Sequence, residues 1–178
     1  QSLKREIKGF TEYKLQSVVN SPFSPDMSIT ATSFLEKINL MGVGLAKERE
    51  SSLAIWNPVL NEISAFIKLG NSGPVNDILW VPERKWILTG HSDGLIKILK
   101  LDSKTFTLKN IHSLHKHHAI GTLIYRKDQD ILYSSGRAPN FRAWSMKSLR
   151  ALETIDCARE EYQDRNYANK AIFISSHN

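Results

Sequence analysis

The chain has 178 residues, of which 41% are hydrophobic and 24% charged, so it can bury the core of a globular domain. Its formal net charge is +6, a moderately basic balance that favours acidic partners by electrostatic steering. No apolar run approaches the ~18 residues of a transmembrane helix, and the polar residues at the start of the sequence do not resemble a secretory signal.

Short alternating apolar runs, bounded by glycine, proline and polar turn residues, predict an all-β chain. In chain order, strands are predicted at 28–35, 39–45, 52–57 and 62–68, then 75–81, 86–91, 95–101 and 105–111, then 120–125, 130–135, 141–145 and 150–156. Asp93 and Gly94 lie between two of these runs and predict a tight hairpin turn, because glycine adopts positive φ without strain. Residues 157–166 are predicted as an exposed charged loop, with a short helix as the alternative.

The predicted strands belong to internal repeats. Val75–Leu99 aligns without a gap on Ile120–Trp144, and Thr32–Trp56 aligns as a third copy with a three-residue insertion near Lys47–Glu50. A period of about 40–45 residues filled with short strands is typical of β-propellers, in which each repeat forms one four-stranded blade.

Several motifs at this spacing resemble the WD-repeat family of β-propellers. Gly70–Val75 is similar to the family's Gly-His entry loop, with Asn71 in place of the histidine. Thr89–Leu99 is similar to the second and third strands of a family blade, and Trp56 and Trp144 lie where the family has its tryptophan. The resemblance implies an all-β propeller of four-stranded blades, of which three are recognisable.

The resemblance covers residues 28–158 and divides the chain into an N-terminal segment, three blades and a final segment, at 1–27, 28–70, 71–114, 115–158 and 159–178. The first segment contains a candidate last strand of a preceding blade, at 15–19, and the final segment contains a candidate first strand of a further blade, at 171–176. Since propellers typically close with four to eight blades, we expect the chain to be a piece of a longer protein. A half-propeller completed by another chain and a small four-blade closure are the alternatives.

The resemblance also implies a buried hydrogen-bond network in each blade that joins a histidine, a serine or threonine, an aspartate and a tryptophan. The middle repeat keeps Thr89 and Asp93 but has Leu99 at the tryptophan position, and no repeat has the full set. Because an incomplete buried polar network is costly, we expect the blades to depend mainly on apolar packing.

Propeller topology brings two sets of loops to one face, those before the first strand and those between the second and third strands of each blade. Basic and histidine residues in these loops predict one basic rim that binds a partner: Lys47, Arg49, His91, Lys116, His117 and Arg137. Such a rim attracts acidic protein surfaces or phosphate groups. Charged loops that only keep the propeller in solution are the alternative.

Most large aromatic residues are expected to be core. Phe34, Trp80 and Tyr125 occupy equivalent positions on the first strand of each repeat and are predicted to pack between sheets. Trp86 begins a strand near the opposite rim and is a candidate protein-binding residue beside Arg84. Partial burial of Trp86 by the neighbouring blade is the alternative.

No catalytic, cofactor or metal site is predicted. Four histidines within seven residues lack a cysteine or carboxylate at zinc-ligand spacing: His112, His115, His117 and His118. His91, Ser92 and Asp93 are consecutive on a turn and cannot form a catalytic relay with one another, so Asp93 is predicted to accept hydrogen bonds from nearby backbone amides. The glycine-containing segments lack the Lys-Ser/Thr ending of a phosphate-binding loop.

The predicted function is that of a non-catalytic protein–protein interaction scaffold, a rigid platform within a multiprotein complex. The alternatives are binding of nucleic acid or phosphoinositide through the basic loop face, and an accessory domain of a larger enzyme. Other proteins, including the rest of a longer chain, are the expected partners. Cys157 is the only cysteine, which excludes an intrachain disulfide and favours a reducing compartment, the cytoplasm or the nucleus.

Overall fold

The computed structural model describes residues 21–102, 104–115, 118–136 and 140–156. All regular structure in these residues is β-strand: β1 (Ser28–Leu35), β2 (Leu40–Lys47), β3 (Glu50–Asn57), β4 (Glu62–Gly70), β5 (Val75–Val81), β6 (Trp86–His91), β7 (Leu95–Asp102), β8 (Thr107–His115), β9 (Ile120–Arg126), β10 (Ile131–Gly136), β11 (Asn140–Ser145) and β12 (Arg150–Asp156). Within the described residues no helix is long and apolar enough to cross a membrane. The segments 15–19, 157–166 and 171–176, for which strands or a loop were predicted, lie outside the described residues.

The strands form three antiparallel four-stranded sheets, each continuous in the chain, which we name blade 1 (β1–β4), blade 2 (β5–β8) and blade 3 (β9–β12). This confirms the predicted all-β fold, with three blades of a propeller. The three-residue insertion of blade 1 extends its central hairpin, since β2 and β3 pair from Met41–Trp56 to Lys47–Glu50 and only two residues turn between them.

The three blades use equivalent cross-strand registers. Trp56 pairs with Met41, Leu99 with Ile87 and Trp144 with Leu132. Leu99 and Trp144 each belong to the core that their blade shares with the preceding blade, while Trp56 faces the outer side of blade 1. The repeats that were aligned by sequence therefore occupy matching structural positions.

Two apolar cores lie between the sheets. The first joins blades 1 and 2 through fully buried residues such as Leu53, Ile55 and Leu99. The second joins blades 2 and 3 through residues such as Ile98 and Leu132. Each strand of blade 2 thus serves two cores, one on each face, which explains why its inner strands read as nearly continuous apolar runs.

A glycine on the second strand lets each blade approach the next one closely. A Cβ added to Gly44 would lie 2.8 Å from Cβ of Val75, and one added to Gly90 would lie 2.4 Å from Cγ2 of Ile120. Val75 and Ile120 are the first residues of β5 and β9, so the same contact recurs at both blade interfaces. Glycine is required here because the backbone must approach a β-branched side chain.

Polar contacts complete the packing between blades. Trp80 Nε1 donates a hydrogen bond of 2.9 Å to the carbonyl oxygen of Glu36, and the backbone N–H of Leu123 donates one of 2.6 Å to a carboxylate oxygen of Asp77. These bonds satisfy polar groups at the edges of the apolar cores, where an unpaired donor or acceptor is costly.

The blades contain partial buried hydrogen-bond networks instead of the complete network that the sequence resemblance implies. In blade 3, Trp144 Nε1 donates a 2.9 Å hydrogen bond to Ser134 Oγ, and both residues are buried. In blade 2, Thr89 Oγ1 lies 2.9 Å from Nε2 of His91. Most of the buried side chains are apolar, in agreement with the expectation that the blades depend mainly on hydrophobic packing.

The prediction that Phe34 packs between sheets is wrong. Trp80 and Tyr125 pack at the edges of the two cores, but Phe34 is 53% exposed. Its position faces the outer side of blade 1, where the described residues provide no preceding blade and only the segment 21–27 contributes cover, through residues that include Phe23. The local strand pattern is right, but the neighbour that would bury this ring is missing from the described part of the chain.

Candidate partner-binding surface

The predicted basic rim begins at the hairpin turn between β2 and β3. Lys47 ends β2, and Glu48 and Arg49 form the turn, with Glu48 at φ 54°. Lys47 Nζ forms an ion pair with Asp26, and both side chains are about half exposed. Hydrogen bonding between the two groups raises the pKa of Lys47 and lowers the pKa of Asp26, so both stay charged. The ion pair ties the segment 21–27 to the hairpin.

This hairpin borders an open cavity of about 740 Å³. The charged residues of its wall are three basic and two acidic side chains: Lys47, Arg49, Lys68, Glu48 and Glu50. Met27, which is partly exposed, adds apolar surface to the same cavity. The arrangement can receive a chain segment that carries both apolar and charged groups, since no single charge sign dominates.

His91 lies in the interior instead of on the rim. Its side chain is fully buried, with Nε2 against Thr89 Oγ1 and Nδ1 3.3 Å from the carbonyl oxygen of Gly73. Burial lowers the pKa of His91, because removal from water disfavours the charged imidazolium. The imidazole therefore links β6 to the entry loop of blade 2 and is closed to a partner. The sequence resemblance placed Asn71 of the entry loop at the position of the family's histidine. It did not indicate that a histidine from β6 would be buried against this loop.

Asp93 has the role predicted for it. Its carboxylate accepts a 3.0 Å hydrogen bond from the backbone N–H of Leu95, and Gly94 adopts φ +89° in the same turn. The carboxylate stabilises the hairpin, and the turn needs glycine for its positive φ.

Trp86 is half-buried at the start of β6. Its ring packs against the core between blades 2 and 3, and the guanidinium carbon of Arg84 lies 4.7 Å from the ring centroid. Arg84 also donates to both carboxylate oxygens of Asp130 at 2.6 Å and to the carbonyl oxygen of Met146 at 2.7 Å. The Trp86 ring is thus part of an inter-blade contact, which corresponds to the alternative of partial burial.

Three further residues of the predicted rim lie outside the part of the chain whose side chains the structure describes: Lys116, His117 and Arg137. Of the predicted surface residues, the structure therefore brings Lys47 and Arg49 together at one cavity, encloses His91 and places Trp86 at a blade interface. The side chains of His112 and His118 are exposed, and among the described residues no three histidine, cysteine or carboxylate groups are placed to hold a metal ion.

Sequence reasoning missed one exposed surface, the outer face of blade 1. Cross-strand pairing places Phe34 beside Met41 and Trp56 beside Ile63, in one row across this face. Phe66, on the same face, is 44% exposed and Ile63 is 40% exposed. Phe23 covers part of the row, with its ring centroid 6.3 Å from that of Trp56 in an edge-on arrangement. The signal that could have found this face is the position of Phe34 in the first recognisable repeat.

Comparison with known proteins finds similarity in structure. No protein-family model matches the sequence, and no curated protein matches it. Solved structures do match: the structure of U3-55K (TM-score 0.62, 18% identity, 75% of this chain and 41% of that one) and the WD40 repeats of RRP9 (TM-score 0.60, 19% identity, 77% and 43%).

The β-propeller domain of Cps50 (Swd1) from Myceliophteria thermophila also matches, with a TM-score of 0.65, 12% identity and coverage of 76% of this chain and 45% of that one. The chain therefore spans less than half the length of these three structures. Its three interlocked four-stranded sheets, with their recurrent register and glycine contacts, have the fold of part of a WD-repeat β-propeller.

Proposed function

We propose that the chain is part of a non-catalytic scaffold that holds another protein at the cavity beside the β2–β3 hairpin. The observation that carries this proposal is the combination of apolar and charged side chains around that cavity on a hairpin fixed by blade packing. Lys47 and Arg49 supply positive charge, and Met27 supplies apolar contact. Mixed surfaces of this kind suit protein partners, since interfaces combine a desolvated apolar centre with a polar rim.

The balance of charge favours a protein over a phosphate polymer at this cavity. Three basic side chains face it, but Glu48 and Glu50 offset two of the three charges, and Asp26 forms an ion pair with Lys47. Binding of nucleic acid depends on many uncompensated cations along the backbone track. The described part of the rim therefore supports a protein partner that offers apolar side chains and charged groups of both signs.

A scaffold role also agrees with the enclosure of His91, the one histidine of the predicted rim that the structure describes. A general base must reach a substrate proton, and the ring nitrogens of His91 both face protein atoms in a buried site. The fold shared with WD40-repeat structures supports a platform of rigid blades that presents loops to partners. In this proposal the protein acts in the cytoplasm or the nucleus.

We further propose that another propeller blade covers the outer face of blade 1. Phe34 occupies the position at which Trp80 and Tyr125 pack against a preceding blade, and Trp56 matches Leu99 and Trp144. Such a blade would come from the rest of a longer chain, as the smaller length relative to the matched structures suggests.

The experiment for the scaffold role is site-specific photo-crosslinking followed by reconstitution. A photoreactive residue in place of Arg49 is compared in cells with one in place of Lys147, an exposed residue of the β11–β12 turn. A protein captured only from position 49 is purified and titrated against the wild type and against the K47E/R49E and K147E variants. We expect a loss of about tenfold or more in affinity for K47E/R49E alone, because the variant reverses charges at the contact.

Equal affinities for the two variants would refute the proposed surface. An RNA oligonucleotide, titrated in parallel over a range of salt concentrations, tests the alternative partner class. A steep salt dependence together with tighter binding of RNA than of the captured protein would replace the protein-scaffold proposal with nucleic-acid binding.

A further inference from the structure

The hairpin between β7 and β8 of blade 2 is longer than its equivalents. Leu99 pairs with Asn110, eleven residues later, whereas Trp56 pairs with Ile63 and Trp144 with Ala151, each seven residues later. Blade 2 therefore carries four additional residues at this hairpin. The addition lies at the end of the sheet opposite to the turn between β6 and β7, and so it is separate from the rim that we propose for the protein partner.

Two lysines face each other across this elongated hairpin. Lys100 pairs directly with Lys109, whereas the equivalent pairs are Asn57 with Glu62 in blade 1 and Ser145 with Arg150 in blade 3. Like charges directly opposite each other on antiparallel strands are destabilising. Blade 2 alone therefore keeps an unfavourable lysine pair at this position.

These two lysines line a basic cavity of about 500 Å³, which we name the lysine cavity. Its charged lining residues are four lysines and one aspartate: Lys85, Lys100, Lys104, Lys109 and Asp102. They leave a net charge of three positive units around one concave site. The lysines come from two turns and two strands. The folding of the sheet therefore brings these charges together, although no single segment of the sequence is strongly basic.

The backbone fixes the two turns that supply the lysines. The N–H of Leu101 donates a 2.9 Å hydrogen bond to the carbonyl oxygen of Lys85, which holds the β5–β6 turn against β7. A carboxylate oxygen of Asp102 accepts hydrogen bonds from the backbone N–H groups of Lys104, at 2.8 Å, and Thr105, at 3.3 Å. The only acidic side chain of the cavity is thus engaged in shaping the turn.

Counter-charges for the remaining lysines are scarce. Among the described residues, no carboxylate forms an ion pair with Lys100, Lys104 or Lys109, and all three side chains are exposed. By contrast, Lys47 and Lys127 each have a carboxylate partner. Lys100, Lys104 and Lys109 therefore bring positive charge to the lysine cavity that no ion pair among the described residues neutralises.

We propose that the lysine cavity binds a small, free polyphosphate anion that carries three or more negative charges. Ammonium groups are compact point charges that bind phosphate oxygens from several directions, and a concave site raises the local concentration of an anion. A linear nucleic acid is a poorer match, because its backbone needs cations spread along an extended surface. The four lysines instead surround one cavity. Binding would also relieve the repulsion between Lys100 and Lys109.

The test is a calorimetric titration of the whole chain with sodium tripolyphosphate, against sodium sulfate at the same ionic strength. The K100Q/K109Q variant is compared with K147Q/R150Q, which removes the same number of charges at exposed positions of the β11–β12 hairpin. We expect saturable 1:1 binding of tripolyphosphate, weakened about tenfold or more in K100Q/K109Q and unchanged in K147Q/R150Q. A K100R/K109R variant, which retains both charges, is expected to bind.

Circular dichroism and thermal melting without ligand give an independent readout. Because K100Q/K109Q removes a repulsive pair, its melting temperature is expected to equal or exceed that of the wild type, which separates loss of binding from loss of folding. The proposal is overturned if sulfate binds as tightly as tripolyphosphate, if both glutamine variants weaken binding equally, or if the wild type shows no saturable binding. Failure of the protein-scaffold proposal would leave this result unaffected, since the two cavities share no residue.

Discussion

Replacement of Arg84 by methionine tests whether polar contacts hold blades 2 and 3 together. The Arg84 guanidinium donates to both oxygens of Asp130 and to the carbonyl oxygen of Met146, and it packs over Trp86. Asp130 also accepts a 2.8 Å hydrogen bond from the hydroxyl of Tyr125. Loss of Arg84 would therefore leave a partly enclosed carboxylate and a carbonyl oxygen without their charged donor.

The expected cost lies between two limits. A hydrogen bond to a charged group contributes about 1.5–3 kcal/mol, whereas an exposed ion pair contributes about 0–1 kcal/mol. The side chains of Arg84 and Asp130 are 29% and 32% exposed, so solvent screens part of the interaction. We expect R84M to lower the free energy of unfolding by about 2 kcal/mol, which corresponds to a decrease of about 4–8 °C in melting temperature for a chain of this size.

Urea denaturation and thermal melting measure this effect, and R126M is the matched control. Arg126 pairs with Asp128, two residues away, and the side chain of Asp128 is 62% exposed. This local pair joins no blades, so R126M is expected to cost less than about 1 kcal/mol. A double-mutant cycle of R84M with D130N should give a coupling of about 1–2 kcal/mol. Equal losses in R84M and R126M, or a coupling below about 0.3 kcal/mol, would refute the role of Arg84 in joining the blades.

Three further predictions concern the interior. G90A is expected to destabilise the fold by about 1–3 kcal/mol in urea denaturation, because its Cβ would overlap a side chain of blade 3, whereas G42A, with its nearest neighbours at 3.4 Å, should change stability little. W144F removes the donor of a buried hydrogen bond and should cost about 1–3 kcal/mol by the same measurement; a change below about 0.3 kcal/mol would contradict the role of that bond. Burial holds the pKa of His91 below its ordinary value of 6.5. As the pH falls, His91 is therefore protonated more readily in the unfolded chain than in the folded chain. Stability should be constant above pH 6.5 and fall below it by at most about 1.4 kcal/mol per pH unit; H91Q should remove this dependence, and H112Q, at an exposed site, should retain it.

The strand order and most strand bounds were predictable because period-two alternation and turn residues are local signals. The last strand of blade 2 was predicted at 105–111 and lies at Thr107–His115. The difference arises from the longer β7–β8 hairpin, which shifts the pairing of β8 without disturbing the aligned stretch Val75–Leu99. Lengths of hairpins beyond an aligned repeat are set by cross-strand pairing, which the sequence alone does not display.

The candidate site was less predictable than the fold, because exposure depends on neighbours distant in sequence. His91 is the last residue of β6 and precedes an exposed turn, yet the backbone carbonyl of Gly73, 18 residues earlier, and Thr89 enclose it. Trp86 follows charged residues, yet the guanidinium of Arg84 covers its ring because Asp130 holds that group in place. In both cases the local sequence shows that polar residues are nearby. It does not show that the entry loop covers His91, or that a contact with the next blade holds Arg84 over Trp86.

Burial in this chain is a property of the interface between consecutive blades. Trp80 and Phe34 occupy equivalent positions on the first strands of blades 2 and 1. Their surroundings differ because blade 1 lies beside Trp80, while no described blade lies beside Phe34. The stability of each repeat therefore includes a nearest-neighbour contribution, as expected for repeat architectures. It follows that F34A should cost little in the chain as described, whereas W80A should cost about 2–3 kcal/mol, less than a fully buried ring, because Trp80 is partly buried. Urea denaturation measures the loss of unfolding free energy in each variant. Equal losses in F34A and W80A would contradict this explanation, because they would show that Phe34 is as well covered as Trp80.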